Sequence, residues 1–485
     1  MKNHLSIFAS DRFAWEKARI LLAAAILSVN CAGPRYTRPP VTTPDSFREA
    51  AVPGAGWKKA EPADTVFKGA WWELYGDSLL DSFESRLAVS NQSIAAAAAQ
   101  YRQARALVRS AASGYFPVIG GQASYLKQQV QPGSRQDSGF TLEGTVSWEP
   151  DIWGKVTKSV QASRASAQAT AAQLAAVVLS MRTQLAQDYF ALRILDVQKH
   201  LLDSTVADYR SFLDLTNIRA GGGIASSADV ALAKTQLATA QAQAIDLGVQ
   251  RGLLEHAVAT LLGIPASQFS IAPDAEFVGR VPLVPLDVPS ALIERRPDIA
   301  AAEREVAAAN AQIGVARTAW FPSITLSGDA GNFWPSLSSG PGLLWSLGGA
   351  LAQTIFNGGQ RLAQVQTARA AYEATVANYR GTVLSAFEEV EDYLSSLRIL
   401  QDEAGAQDTA VSASRLSVEL TLSRYKAGIA SSIDVINTST IYLSNRKTAI
   451  GILGNRLGAS VLLIKALGGG WNAKTHQAGP DKPVR

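Results

Sequence analysis

Two hydrophobic periods alternate along this chain. Long Ala-rich stretches run with almost no Gly or Pro, and between them lie short segments in which every second residue is apolar. Lys155 to Ala220 contains neither Gly nor Pro across 66 residues, which predicts one helix of roughly 100 Å at about 1.5 Å per residue. Gln360 to Ala427 lacks Pro and holds only Gly381 and Gly405, so it predicts a second such helix. Ser226 to Leu262 and Ser431 to Leu467 read as return helices, and Leu79 to Ser113 and Pro289 to Ala319 as two further helical segments.

The period shortens to two in four places. Between Gly139 and Pro150, Phe140, Leu142, Gly144, Val146 and Trp148 alternate with Thr141, Glu143, Thr145, Ser147 and Glu149. Val118 to Val130 is the expected hairpin partner through the polar loop 131–138. Ser323 to Trp334 and Trp345 to Phe356 repeat the device around the loop 335–342. Strands of this length with one apolar face bounded by Trp148, Trp334, Trp345 and Phe356 match a membrane β-barrel wall. A soluble β-sandwich would need a second layer to cover that face, and the Ala-rich helices scarcely provide one. Four strands cannot close a barrel, and lipid tolerates no open sheet edge, so the chain is expected to oligomerise.

The pattern is duplicated. Ala225-Ser226-Ser227-Ala228-Asp229-Val230 returns as Ala430-Ser431-Ser432-Ile433-Asp434-Val435, with Asp434 lying 205 positions after Asp229. Phe116-Pro117 and Phe321-Pro322 share that offset, as do Leu262-Gly263 and Leu467-Gly468, while Tyr189 and Tyr393 are 204 apart. Agreement of four anchors marks a tandem repeat of helical hairpins. Each hexapeptide follows a glycine turn and opens with Ser-x-x-Asp, a capping-box pattern.

Composition narrows the function. Lys and Arg number 45 against 41 Asp and Glu, without basic blocks, so no nucleic-acid partner is expected. The four histidines are scattered and Cys31 is the lone cysteine, which leaves no metal set and no disulfide. No G-x-S-x-G, H-E-x-x-H or phosphate-loop lysine occurs, so neither an enzyme nor a cofactor is expected. Cys31 follows Ile20-Leu21-Leu22-Ala23-Ala24-Ala25-Ile26-Leu27, an apolar run preceded by Lys17 and Arg19 and too short to span a bilayer. Residues 1–30 therefore read as an export signal and Cys31 as a lipidation candidate. Residues 31–78 form an extended, Pro-rich arm ending in the aromatic knot Trp71-Trp72. Residues 79–288 form a first repeat with hairpin 118–150, residues 289–470 a second with hairpin 323–356, and residues 471–485 a polar tail.

Two hairpins, six helical segments, the duplication and the lipoprotein-like start resemble the outer-membrane factor family, the TolC/OprM-like exit ducts of tripartite efflux pumps. Gly33-Pro34-Arg35-Tyr36, Trp71-Trp72, Arg295-Arg296-Pro297-Asp298-Ile299 and Asn357-Gly358-Gly359 carry the likeness, and the arm resembles the OprM-type lipoprotein branch. The resemblance implies a mixed α and β membrane protein. Three chains, with four strands each, would form a twelve-stranded outer-membrane β-barrel continuing into a long periplasmic α-helical barrel. It implies a homotrimer set in outer-membrane lipid, with a periplasmic adaptor and an inner-membrane pump of the resistance-nodulation-division type as partners. A duct for type I protein or peptide secretion is the alternative within the family, and a coiled-coil envelope protein without a channel the alternative outside it.

The same resemblance places Gly221, Gly222, Gly223 and Ile224, with Gly428, Ile429 and Ala430, at adaptor-facing tips. It implies a periplasmic gate built from Asp434, Tyr425 and Asp229, with Asp229 as the acceptor for Tyr425. Where relatives often carry a second acid one turn after Asp434, this chain has Asn437. A threefold set of Asp434 carboxylates would attract cations.

Overall fold

The computed structural model describes residues 33–51, 57–59, 70–128, 137–286, 289, 293, 295–335 and 340–470. The export signal, Cys31 and the polar tail 471–485 lie outside the described residues, as do residues 129–136 and 336–339 of the hairpin loops. In chain order the elements are β1 (Trp57–Lys59), α1 (Ser78–Ser90), α2 (Gln92–Ala112), β2 (Val118–Gln128), β3 (Asp137–Trp148), α3 (Lys155–Gly221), α4 (Ser227–Leu261), β4 (Val284–Leu286), α5 (Pro297–Thr318), β5 (Ser323–Trp334), β6 (Gly342–Ala352), α6 (Gln360–Lys426) and α7 (Ser432–Ala466). The chain divides into two compact units.

The first unit comprises Met1–Pro40, Gln100–Ala171 and Ala301–Arg380. Its sheet is antiparallel in the order β2-β3-β5-β6. The register puts Tyr125 opposite Phe140 and Phe140 opposite Trp334, one aromatic rung across three strands. The same face carries Ile119, Leu142, Val146, Trp148, Leu326, Trp345, Leu347 and Leu351, all exposed, with Leu347 at 83%, and the half-buried Ile324. Strand β6 starts at Gly342 and ends at Ala352, three residues earlier at its start and four at its end than the expected Trp345 to Phe356. Phe356 accordingly follows the strand, and is exposed. At the strand roots Trp153 stacks on Phe321 at 5.0 Å, and its indole N–H donates to the Pro322 carbonyl at 2.6 Å. Asp151 accepts from the backbone N–H groups of Val156 and Thr157 and so starts α3.

In this unit the N-terminal arm is fastened residue by residue. A Cβ on Gly33 would lie 2.8 Å from the Gly314 Cα, so the backbones touch there. Asn310 donates to the Pro34 carbonyl at 3.1 Å, Tyr36 donates to Glu303, and Arg38 donates to the Tyr379 hydroxyl at 3.1 Å.

The second unit comprises Val41–Ala99, Ala172–Ala300 and Gly381–Arg485. Its core gathers Leu87, Leu185, Leu192, Val258, Leu262 and Ile271. Trp71 and Trp72 meet edge to face at 5.9 Å, and the Tyr75 hydroxyl shares a hydrogen bond with Ser460. The sequence predicts one helix over Leu79 to Ser113, but the structure divides it at Asn91. Its side chain accepts from the Ile94 N–H at 3.0 Å and donates to the Leu261 carbonyl at 2.8 Å, so it starts α2 while holding the end of α4. β1 pairs with β4 in parallel. α7 alone among the described helices is long and apolar enough to cross a membrane, but Val435, Ile450, Leu457 and Leu463 are buried within the unit.

Candidate functional site

The two helical turns 205 residues apart share one backbone design. Gly223 and Gly428 adopt φ of 75° and 78°, a left-handed conformation costly for other residues, and let α3 and α6 terminate sharply. In the first turn Ile224 N–H donates to the Arg219 carbonyl at 2.8 Å; in the second Ile429 N–H donates to the Arg424 carbonyl at 2.9 Å. Ile224 is 71% exposed and Ile429 69%, while Gly221 and Gly222 are exposed and Ala430 is half-buried.

The returning helices start with true capping boxes. Ser226 and Ser431 have identical φ of −86° and ψ of 162°, and each hydroxyl accepts from the N–H three residues on. Asp229 accepts from the Ser226 N–H at 2.9 Å and Asp434 from the Ser431 N–H at 3.0 Å. Asp229 also accepts from the Ser432 hydroxyl, which ties the two boxes together. That bond, then those from Ser226, hold the Asp229 carboxyl below the usual carboxylate range; the Ser431 hydroxyl and N–H do the same for Asp434.

Tyr425 breaks the repeat, since Ala220 stands at the corresponding position. Its ring is buried against Phe212 at 5.3 Å, within a cluster that includes Ala233, Val435 and Ile436. The Arg219 guanidinium lies over the ring at 4.4 Å and donates to the Tyr425 carbonyl at 2.5 Å. The expected Tyr425–Asp229 pair is not formed. Asp229 is occupied by Ser226 and Ser432, and the Tyr425 hydroxyl lies 3.4 Å from that of Thr216 instead.

Arg219, Thr216 and Ser432 therefore join the three residues expected from the sequence. Arg219 had a usable signal in its repeat partner Arg424, because an arginine kept beside a glycine turn in both copies has two chances to act. Ser432 had none, since Ser227 occupies the equivalent place and both simply follow the capping serines Ser226 and Ser431. Among the described residues no group of His, Cys, Asp and Glu could hold a metal ion.

The outer membrane efflux protein family model matches residues 85–264 and 288–469. The pyoverdine export outer membrane protein OpmQ of Pseudomonas aeruginosa is 30% identical over 426 residues, covering 83% of this chain and 88% of that protein. The cation efflux system protein CusC of Escherichia coli is 26% identical, covering 90% of this chain and 95% of that protein. Among solved structures, the outer-membrane channel OprN superposes with a TM-score of 0.83 at 26% identity, covering 91% of this chain and 100% of that one.

Proposed function

We propose that this chain, which belongs to the outer membrane efflux protein family, joins two further copies to close one twelve-stranded barrel, with its duct held shut at the helical tips. The protein is an outer-membrane exit channel for efflux, spanning that membrane and reaching into the periplasm. The observation that carries the trimer reading is the sheet itself. Among the described residues β2 and β6 are its outer strands, each with one edge unpaired, and one of its faces is dominated by apolar side chains, interrupted by Lys127 and Asn332. In lipid those edges require partners, and copies of the same strands supply them.

At the tips, Arg219 clamps Tyr425 and Ser432 clamps Asp229, so the second hairpin of one chain is latched to the first. Opening the entrance requires these contacts to break or slide. Ile224 and Ile429 then offer exposed apolar contacts to a periplasmic adaptor, beyond which an inner-membrane pump of the resistance-nodulation-division type supplies the energy. The cargo class is small molecules, and the pump selects among them. The close seat of Gly33 beside Gly314 favours lipidation at Cys31, because two residues span at most about 7 Å and α5 leads within a few residues to the root of β5.

Single-channel recording in planar bilayers tests the gate. Tyr425→Phe combined with Asp434→Ala is expected to raise conductance. Unchanged conductance with the trimer intact removes these residues from the gate.

A further inference from the structure

Charge is not spread evenly over the helices. The whole chain balances 45 Lys and Arg against 41 Asp and Glu, but the helix ends that adjoin the sheet carry one sign only. Residues 100–112 of α2, 155–171 of α3, 306–318 of α5 and 360–372 of α6 hold nine Lys and Arg and not one Asp or Glu. All four stretches belong to the first unit, and the connections 113–117, 149–154, 319–322 and 353–359 join them to the strands. The cations therefore gather at the strand roots.

Part of this charge is engaged within the chain. Lys155 pairs with Glu149 at 3.3 Å, and Arg361 is buried with its guanidinium 5.1 Å from the Trp320 ring. The other acid of the connections, Asp151, is taken up by the Val156 and Thr157 N–H groups. Arg109, Lys158 and Arg317 make no ion pair among the described residues, and each lies within one turn of a helix end. Lys158 also borders the start of the arm: its Cε is 3.4 Å from where a Gly33 Cβ would stand, two residues after the lipidation candidate Cys31. The connections beside these cations display aromatic rings. Tyr115, Phe116, Trp320 and Phe356 are all exposed, and tyrosine and tryptophan favour the level at which lipid headgroups meet water.

We infer that Arg109, Lys158 and Arg317 bind the headgroup phosphates of anionic phospholipid in the periplasmic leaflet of the outer membrane, and so fix the depth at which the sheet sits. The inference rests on the membrane-spanning reading of the sheet, whose strands end where these rings and cations begin. Basic side chains beside a bilayer are drawn to anionic lipid within a Debye length, about 8 Å at physiological salt. Arginine adds a planar fork that meets a phosphate through two parallel hydrogen bonds. Carboxylates on the same helix ends would neutralise these charges first, and none is there.

The full chain, reconstituted in vesicles of equal phosphatidylglycerol and phosphatidylcholine with brominated acyl chains on one lipid at a time, reports through tryptophan quenching which lipid lies beside it. The parent is expected to enrich phosphatidylglycerol several-fold over phosphatidylcholine. Arg109→Gln, Lys158→Gln and Arg317→Gln combined should remove the preference, whereas Arg109→Lys with Arg317→Lys, which keeps the charge, should retain it. Arg415→Gln, an exposed arginine on the sheet-distal part of α6, should retain it too. An assembled triple variant with the parent preference overturns the inference, as does a loss reproduced by Arg415→Gln. Should the triple variant fail to assemble, the parent alone decides: a preference that survives molar salt is not electrostatic and overturns the inference. A triple variant that keeps the lipid preference but shifts anion over cation permeability in planar bilayers moves these side chains to the conducting path and overturns it as well. A parent that inserts into neither lipid sinks the membrane reading itself, whereas one that inserts without a preference sinks only the headgroup site.

Discussion

Glu84 shows how one side chain records the packing around it. It is fully buried on α1, with Arg182 at 3.8 Å and neither carboxyl oxygen in a hydrogen bond among the described residues. Burial raises its carboxyl to about 8 from 4.5, with Arg182 opposing the rise and Asp81 adding to it. A carboxyl raised by folding favours the protonated state, so its contribution is fully present below 4.5 and is lost as pH climbs towards 8. The slope is about 1.4 kcal/mol per pH unit in that window. Glu84→Gln is expected to flatten the pH dependence of thermal unfolding, followed by circular dichroism in detergent. An unchanged slope would assign the proton elsewhere. At this scale the sequence was informative for glycines and caps, which act through their own backbone, as at Ser226, Asp229 and Gly223. It was uninformative for Thr216 and Ser432, whose partners lie across the fold and whose types are ordinary for helices.

At the scale of elements, period and breakers located nearly every helix and strand, because a long Gly- and Pro-free run can do little but coil and a clean alternation can do little but extend. The failures have local causes. The split at Asn91 was hidden by the surrounding Ala-rich run, and only the carbonyl of Leu261, far along the chain, gives the asparagine amide its second partner. Asn91→Ala is expected to cost about 1 kcal/mol for the lost cap and to leave the Leu261 carbonyl without its donor. Denaturant titration would register the loss, and a neutral result would show that α1 and α2 can run as one helix. The alternation that starts at Trp345 hides the true beginning of β6, where Gly342 already pairs with Phe333.

For the whole molecule, the apolar face of the sheet commits the protein to lipid. Leu347→Lys places a charge on that face and is expected to destabilise the folded barrel by about 2–4 kcal/mol if Leu347 lies near the bilayer midplane. Its signature would be loss of heat-resistant oligomer in outer-membrane fractions; an unaffected oligomer would mean that Leu347 meets water. Mass spectrometry of the mature protein checks the anchor, with an acylated Cys31 at the N-terminus as the expected outcome and an unmodified one against it. The twofold internal repeat was legible because it is written twice. The number of copies was not, since nothing within one chain counts its neighbours, and that number entered through family resemblance.

The unpaired edges of β2 and β6 carry a genetic consequence. A head-to-tail closure sets the β2 edge of every member against the β6 edge of the next, so one defective edge spoils the entire assembly. In a cell making equal amounts of sound and edge-damaged protein, only about one assembly in eight would be wholly sound if mixing is random among three. Mutations along these two strands should therefore behave as dominant alleles, whereas faults confined to a helix interior should be masked by a good copy.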